Sequence, residues 1–182
     1  MFKPLPKPSL RISVKITVRR PNVCICEKLY RRSLYTYWKR TAPPPNMMAF
    51  DAPNREVCTV ARGNTTTPLQ ALVTLNDPQF VEAARCFAER VLARKEVGSD
   101  ESRIRWAFTE CVARPPKEKE LAVILAALKR ERTNYAKNVP AARALLAVGE
   151  SPRNEKLSTA EHAAWTQIAS TLFNLSETIT RN

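Results

Sequence analysis

The sequence TTTPLQALVTLNDPQFVEAARCFAERVLARK, residues 65–95, predicts two consecutive helices. Thr67 precedes Pro68 and Asp77 precedes Pro78, so a capping side chain stands directly ahead of a proline twice. A Thr or Asp side chain accepts hydrogen bonds from the first free amides of a helix, and proline at the first helical position has no amide to leave unpaired. We therefore expect one helix to begin at Pro68 and a second at Pro78.

Apolar residues recur along both segments at the three- and four-residue spacing of a single helical face. In the first segment this face consists of Leu69, Leu72 and Leu75. In the second segment it consists of Phe80, Val81, Ala84, Phe87, Ala88, Val91 and Leu92. These stripes predict helices that pack together in a bundle.

The rest of the chain predicts four more helices, separated by prolines and glycines. We expect them over about 101–113, over about 117–138, between Pro140 and Gly149, and from Ser158, where Ser-Thr-Ala-Glu predicts a capping box with Glu161. The stretch GESPRNEK, residues 149–156, is predicted to be a loop. The predicted inward residues of these helices are Ile104, Ala107, Phe108, Cys111, Val112, Leu121, Ile124, Leu125, Leu128, Tyr135, Leu145, Leu146, Trp165, Ile168, Ala169, Leu172 and Phe173.

The predicted fold class is mainly α, a bundle of about six short helices over residues 67–182. An irregular, proline-rich N-terminal collar is predicted over residues 27–66, with one helical turn over 47–50. Alternating β-branched residues in EVCTV, residues 56–60, predict one short strand in this collar. Residues 1–26 are basic, rich in proline and interrupted by charges, which predicts a disordered or weakly strand-forming leader.

The net charge of +13 is concentrated at the N-terminus. Residues 1–40 contain 11 Lys or Arg and one acid, whereas residues 41–182 contain 19 basic and 16 acidic residues. A basic excess is typical of nucleic-acid binding, but here it belongs to the N-terminal segment rather than to the predicted bundle. No apolar run approaches the roughly 20 residues of a membrane helix, and the N-terminus lacks the continuous apolar core of a secretory signal.

The segment LYRRSLYTYWKR, residues 29–40, mixes aromatic and basic side chains. Such a mixture can bind single-stranded nucleic acid, because rings stack on bases while cations contact phosphates. The segment lacks the interleaved glycines and the β scaffold of such surfaces. This favours aromatic side chains packed under the helices, with the charged ends in solvent. Its candidate groove or interface residues are Arg31, Arg32, Tyr35, Trp38 and Arg40.

The segment FDAPNRE, residues 50–56, brings Asp51, Arg55 and Glu56 close together in sequence. Paired carboxylates can perform acid–base chemistry, and an arginine beside them can clamp an anion. The alternative is a turn held by the Asp51 side chain, with a local Asp–Arg pair that fixes the loop. We favour the turn, and we keep these three residues as further candidates for a groove or interface.

The histidine and the cysteines give no catalytic signature. The only histidine, His162, follows Glu161 in the first turn of the last predicted helix, which favours a surface or capping role over that of a general base. Cys58 lies near Arg55 and Arg62, which can lower the pKa of a thiol, but we favour a buried and inert thiol. The sequence contains no phosphate-binding loop, dinucleotide fingerprint or haem-attachment motif. We therefore assign no catalytic, cofactor-binding or metal-binding residue.

Three blocks of the sequence resemble the C-terminal part of the planctomycete-type domain of unknown function 1553. They are LYRRSLYTYWKRTAPPPNMMAFDAPNREVCTV, TPLQALVTLNDPQFVEAARCFAERVL and AAWTQIASTLFNLSETITRN. The resemblance runs from about Glu27 to Asn182, whereas residues 1–26 do not resemble the family. Where family members typically read Arg-Thr-Asn-Thr-Pro-Leu-Gln-Ala-Leu, this chain has Asn64 at the basic position and Thr66 at the asparagine position.

The resemblance implies that the chain is a truncated fragment of a longer protein. Family members often carry a C-x-x-C-H cytochrome c-type domain, a second domain of unknown function and a signal for export. The resemblance thus implies a location outside the cytoplasm or in the cell envelope, although this chain shows no signal peptide. It implies haem only in missing upstream domains, and it implies those domains or a separate protein as partners. The family has no established activity that can be transferred to residues of this chain.

Three hypotheses about function follow from these observations. The first is a non-catalytic structural or interaction fragment of a larger exported, cytochrome c-associated multidomain protein. The second is the substrate-binding part of an enzyme that acts on polysaccharide, with Asp51, Arg55 and Glu56 in its groove. The third is nucleic-acid binding through residues 1–40. We favour the first.

Overall fold

The computed structural model describes residues 43–53, 56, 58, 60, 63, 65–94 and 98–179. The predicted leader and the basic-aromatic segment therefore lie outside the described residues. The described residues belong to two compact units, which divide between Gln70 and Ala71. Each unit is treated by itself below.

The described residues form eight α-helices, which confirms the mainly α fold class. The helices are α1 (Pro45–Ala49), α2 (Pro68–Asn76), α3 (Pro78–Ala93), α4 (Asp100–Val112), α5 (Glu118–Lys137), α6 (Val139–Leu146), α7 (Thr159–Phe173) and α8 (Ser176–Ile179). The helical turn predicted near residue 47 corresponds to α1. The six predicted helices correspond to α2–α7, and α8 was not predicted.

The strand predicted over residues 56–60 is not present in the described part of the chain. Glu56, Cys58 and Val60 are irregular and exposed, while the two residues between them lie outside the described ranges. An alternating pattern produces a strand only where a neighbouring strand completes the hydrogen bonds. The described residues supply no such neighbour, so the prediction was wrong for the residues that can be checked.

The predicted starts of α2 and α3 are confirmed by their hydrogen bonds. The Gln70 amide donates to Thr67 Oγ1 (3.3 Å), and the Thr67 amide donates to Gln70 Oε1 (3.2 Å), which is a reciprocal capping box. The Gln79 amide donates to Asp77 Oδ1 (2.8 Å) at the start of α3. Both starts therefore use the side chains that the sequence indicated, and the Thr67–Gln70 box adds a second bond that was not predicted.

The capping box predicted at the start of α7 is wrong. Ser158 is the N-cap residue but makes no side-chain capping bond. Glu161 instead accepts hydrogen bonds from Arg132 of α5 and from the Trp165 indole (2.8 Å). Arg132 also donates to Asp100 at the start of α4, so one guanidinium joins α4, α5 and α7. Glu161 therefore pairs with Arg132 rather than with the local backbone, because a charge-assisted hydrogen bond is the stronger one.

The helix α7 is the centre of the second unit. It packs against α3, α4, α5, α6 and α8. All five residues of its predicted stripe are buried, and so are residues on its other faces. A helix that is buried on every side is the core of a bundle, and its small residues let the neighbouring helices approach closely. The buried small residues are Ala163, Ala164, Ala169 and Ser170.

The predicted stripe of α3 is confirmed in its middle. Four of its residues are buried, namely Ala84, Phe87, Ala88 and Val91, whereas Phe80, Val81 and Leu92 are half-buried. The Phe87 ring lies 5.5 Å from that of Phe173 and 5.8 Å from that of Trp106, measured between ring centroids. Two charged residues of α3, Glu82 and Arg85, are each only 2% exposed. Neither charged residue belongs to the predicted apolar stripe of α3.

The helix α2 has an exposed leucine face. Leu69, Leu72 and Leu75 are 56%, 58% and 45% exposed. Gln70 and Thr74 of the same helix are buried. The spacing correctly predicted that the leucines share one face, but the described residues leave that face largely uncovered.

Outside the core, Arg114 joins three segments of the second unit. It follows α4 and donates to both carboxylate oxygens of Glu120 in α5 (2.8 and 2.9 Å). It also donates to Glu177 in α8 (2.9 and 3.0 Å). The guanidinium lowers the pKa of the Glu120 carboxyl to about 2, because its hydrogen bonds favour the charged form. This fork holds the short helix α8 against the turn between α4 and α5.

We expect Gly149→Ala to lower the free energy of unfolding by about 2–4 kcal/mol. Gly149 has a φ of +103°, and a Cβ at this position would lie 2.5 Å from Glu82 Oε2 and 2.8 Å from Glu82 Cβ. The estimate combines a strained backbone with overpacking against a buried side chain. Urea unfolding followed by circular dichroism measures the change.

The matched control for this prediction is Gly98→Ala. A Cβ on Gly98 would meet no atom within 4 Å, so this change should leave the unfolding free energy nearly unaltered. Equal effects of the two substitutions would contradict a specific contact between Gly149 and Glu82.

Candidate functional site

The structure can test only part of the predicted groove. Arg31, Arg32, Tyr35, Trp38, Arg40 and Arg55 lie outside the described residues, so their roles stay predictions. Asp51 and Glu56 are described, and Glu56 is exposed. Asp51 is therefore the candidate whose contacts can be examined in detail.

The Asp51 carboxylate holds a turn in the first unit. It accepts hydrogen bonds from the Thr65 amide (2.9 Å) and from the Thr65 hydroxyl (2.8 Å), and Gln70 Nε2 lies 3.4 Å away. The bond from the Thr65 amide is the largest cause of a lowered Asp51 pKa, because these donors stabilise the charged form. Asp51 also has a φ of +54°, a left-handed conformation that Asp tolerates better than most residues. These contacts tie the Asp51 loop to the segment before α2 and to α2 itself, and the predicted local pair with Arg55 stays a prediction.

A second group of polar residues lies buried in the other unit. We name it the buried cluster and define it as Glu82, Arg85, Glu89, Ser151 and His162. Three of its members come from α3, one from the loop between α6 and α7, and one from α7. The spacing 82, 85 and 89 places the three α3 residues on one face of that helix.

Arg85 connects α3 to the end of α6 and to the loop that follows α6. Its Nη1 donates to the carbonyl of Leu146 at the end of α6 (2.9 Å). Its Nη2 donates to the carbonyl of Ser151 (2.7 Å) and to Ser151 Oγ (2.6 Å). A guanidinium offers donors in a fixed fork, so it can satisfy several carbonyl groups at once. Arg85 thus caps the C-terminus of α6 and fixes the loop that follows it.

Glu82 completes this attachment from the other side of the loop. Its Oε2 accepts from the Glu150 amide (3.0 Å), and its Oε1 accepts from the Ser151 amide (3.1 Å). Glu82 Oε1 lies 3.9 Å from Arg85 Nη2, so the two buried charges are also near each other. Hydrogen bonds to loop amides compensate for the loss of water around the carboxylate.

His162 lies inside the protein rather than on its surface, so the predicted surface or capping role was wrong. It is 1% exposed. Its Nε2 lies 3.4 Å from the carbonyl oxygen of Arg85 and 3.6 Å from Glu89 Oε1. Burial is the largest influence on its pKa and lowers it, while the Arg85 carbonyl and Glu89 act in the opposite direction. Burial therefore favours the neutral imidazole, and the two oxygen atoms near Nε2 favour the proton on that nitrogen.

The buried cluster contains residue types that occur in catalytic sites, but its geometry is that of an anchor. The Ser151 hydroxyl is bonded to Arg85, and Cys86 Sγ lies 3.8 Å from Ser151 Oγ. Among the described residues, no hydrogen bond joins Ser151 to His162. A serine nucleophile needs a base within hydrogen-bond reach, and this arrangement does not provide one. Glu89 also accepts from the amide of Asn154 (3.1 Å), so it too holds the loop.

Cys58 and Cys111 are free thiols. Cys58 is exposed, so the prediction that it is buried was wrong. The physical reason is that Glu56, Cys58 and Val60 are irregular and exposed rather than packed on a core. Cys111 is half-buried, and burial raises its pKa to about 12, which keeps this thiol protonated and unreactive. Within the described ranges, no three or more His, Cys, Asp or Glu side chains group together as a metal site would require.

The fold and the buried cluster define a class of protein, a small helical module in which buried charges anchor a loop. The comparison with protein families then gives its family. The profile of the PSD1 family, described as "Protein of unknown function (DUF1553)", matches residues 10–128. The chain belongs to this family, which confirms the resemblance seen in the sequence. No curated protein matches the chain, and no solved structure matches it.

The limits of the family match differ from the predicted domain limits. The match begins at residue 10, inside the segment predicted to be a non-family leader, and ends at residue 128 in α5. The match therefore gives no support to a family boundary between residues 26 and 27, and the predicted domain boundaries stay predictions. Among the helices that the structure describes, none is long and apolar enough to cross a membrane.

The sequence contains one indication of the buried cluster, a charged residue within an apolar stripe. Arg85 lies four residues after Val81 and three before Ala88, in the middle of the predicted apolar stripe of α3. A charged residue at such a position must find buried partners. The sequence alone could not identify these partners, because they are backbone groups of a loop more than 60 positions further along the chain.

We expect Asp51→Ala to accelerate hydrogen exchange of the Thr65 amide. This amide donates directly to Asp51 Oδ2, and the substitution removes its acceptor. Nuclear magnetic resonance measures the exchange of that one amide. Asp51→Asn is the matched variant, because it keeps an oxygen acceptor and also tolerates a positive φ. Unchanged exchange in the Ala variant would contradict the turn-holding role.

We expect the free energy of unfolding to fall as the pH drops below about 6.5, the ordinary pKa of histidine. Since burial lowers the pKa of His162 in the folded protein, the unfolded chain binds a proton first. The stabilisation is therefore complete above the unfolded pKa and is lost as the pH falls towards the folded pKa. Its slope is at most about 1.4 kcal/mol per pH unit. Urea titrations between about pH 7 and pH 5 measure it.

The control is His162→Gln, whose side-chain amide can still donate to the Arg85 carbonyl. His162 is the only histidine in the chain, so this variant should lose the slope in that pH range. Asp51, Asp100, Glu120 and Glu177 also have lowered pKa values, but their contributions are lost only at more acidic pH. The same slope in both proteins would contradict the prediction.

Proposed function

We propose that this chain is a non-catalytic structural or interaction module of a larger exported, cytochrome c-associated multidomain protein. The single observation that carries the proposal is the exposed leucine face of α2, formed by Leu69, Leu72 and Leu75. The export and the cytochrome c association rest on the sequence resemblance described above. The haem belongs to other domains of the larger protein, and the partner is one of those domains or a separate protein.

The leucine face is unusual because the same helix buries polar side chains. Gln70 and Thr74 are 1% and 2% exposed, whereas the leucines are about half exposed. The Thr74 hydroxyl lies 2.9 Å from Asn174 Oδ1, which contributes to holding this orientation within the second unit. Covering a leucine side chain contributes about 1.5–3 kcal/mol, so a partner that buries this face gains several kcal/mol. Contiguous exposed apolar side chains mark interaction surfaces.

The buried cluster supports the structural part of the proposal. Each of its charged side chains is bonded to the backbone of the loop between α6 and α7. A carboxylate or guanidinium that is committed to such bonds holds structure rather than a substrate. The loop and the helices around it therefore form a fixed scaffold within the second unit.

The two alternatives have less support. The polysaccharide-enzyme alternative relies on Asp51, Arg55 and Glu56, and the one whose contacts are described in detail, Asp51, is bonded to Thr65 and Gln70. The nucleic-acid alternative relies on residues 1–40, which lie outside the described residues. No contact of the described residues favours either alternative.

We expect the double substitution Leu72→Ser with Leu75→Ser to reduce association of the protein through apolar surface. Both side chains are exposed, so the fold should be retained, while the apolar area available to a partner falls. Sedimentation velocity over a range of protein concentrations measures the self-association that the open face permits. A partner protein, once isolated, should bind the double variant more weakly than the wild type.

The matched control is Val123→Ser. Val123 is 69% exposed on α5 and is an apolar residue of similar exposure on a different helix. This variant should associate as the wild type does. If the leucine variant and the valine variant behave alike in self-association and in binding an isolated partner, α2 is not an interaction face.

A further inference from the structure

A shallow depression of about 360 Å³ lies beside the end of α6 and the loop that follows it. Three arginines line it, namely Arg85, Arg143 and Arg153, together with Ser151, Pro152 and uncharged residues of α6. No carboxylate lines it. We name it the arginine depression. Three cationic side chains around one small volume repel one another, and a bound anion removes that repulsion.

Arg85 forms a fixed floor for this depression. It is 2% exposed and is held by the bonds to Leu146 and Ser151 described above. Its buried Nε has no acceptor among the described residues. Its hydrogen bonds go to carbonyl and hydroxyl oxygens, and its positive charge is partly offset by the buried ion pair with Glu82. Glu82 is the nearest carboxylate, at 3.9 Å, and it is bonded to two loop amides.

Arg143 and Arg153 supply the accessible charges. Arg143 lies in the last turn of α6 and is exposed. Arg153 is half-buried, and its Nη1 donates to Thr159 Oγ1 (3.3 Å), which orients the guanidinium without neutralising it. In the described part of the chain, neither arginine forms an ion pair. Their remaining donors are therefore available to a ligand.

The end of a helix ordinarily disfavours an anion, because its last carbonyl groups carry partial negative charge. In this structure Arg85 donates to the Leu146 carbonyl, which offsets that charge at the C-terminus of α6. The accessible charges beside this helix end are then those of Arg143 and Arg153. This removes the main electrostatic objection to an anion at this position.

We propose that the arginine depression binds a tetrahedral oxyanion, a phosphate or sulfate group, through Arg143 and Arg153 above the buried Arg85. Arginine forks match the geometry of such oxygens and form strong charge-assisted hydrogen bonds. A tetrahedral oxyanion is favoured over a carboxylate because it has more oxygens to share among several guanidiniums. A shallow site also suits an anionic group carried by a larger molecule as well as the free ion.

The test titrates potassium phosphate into the protein at constant ionic strength and follows the backbone amide resonances of residues 147–151, 153 and 154. We expect saturable shifts in the wild type. Arg143→Gln and Arg153→Gln should each bind phosphate about tenfold more weakly, the loss expected for one charge-assisted contact. Phenyl phosphate is titrated in parallel. Equal or tighter binding of this monoester identifies a site for an anionic group on a larger molecule, and weaker binding identifies a site for the free ion.

The matched control is Arg130→Gln. Arg130 is an exposed arginine of α5 whose side chain is 73% exposed, and it lies outside the depression. This variant should bind phosphate as the wild type does. Shifts that never saturate, or the same loss of binding in all three variants, would mean that phosphate only screens surface charge, and the proposal would fail. Each variant is first shown to unfold at the same urea concentration as the wild type.

Discussion

The rest of the second unit depends on the attachment of the loop between α6 and α7 to the buried charges of α3. Glu82 binds two amides of this loop, and Arg85 binds the Leu146 carbonyl at the end of α6 and the Ser151 carbonyl within the loop. An unpaired buried charge costs several kcal/mol, so the loop and the two side chains stabilise one another or fail together. Gly149 approaches Glu82 so closely that no side chain fits between them. The attachment of the loop therefore also requires a glycine at this position.

This attachment also explains how α7 can be buried on every side. A helix at the centre of a bundle needs its incoming chain held in place, since its own N-terminus makes no side-chain cap. The loop supplies that support through Glu82, Arg85 and Glu89, and His162 is buried against the same face of α3. The polar groups in the core therefore hold the loop and the start of α7 in place. The residue types of the buried cluster, taken without their contacts, would suggest a catalytic site.

Local features of the fold could be predicted from the sequence, whereas the environments of its side chains could not. The capping residues Thr67 and Asp77 act on amides within three positions, so the sequence contains both partners. The leucine spacing of α2 correctly indicates a shared face, but periodicity says nothing about whether another element covers that face. The buried His162 and the exposed Cys58 were misjudged for the same reason. Each depends on segments that are distant in sequence, and a single chain without aligned relatives does not reveal those contacts.

The net charge of the chain does not show how its charged side chains are distributed and paired. The net charge of +13 suggests a uniformly basic protein, yet residues 41–182 are nearly balanced. Within that balanced part, Arg114 and Arg132 are each bonded to two carboxylates, so they contribute structure and little external field. Arg143 and Arg153 have no such partners among the described residues. The surface potential therefore follows from pairing rather than from composition, and the places where pairing is incomplete are the places where a charged ligand can bind.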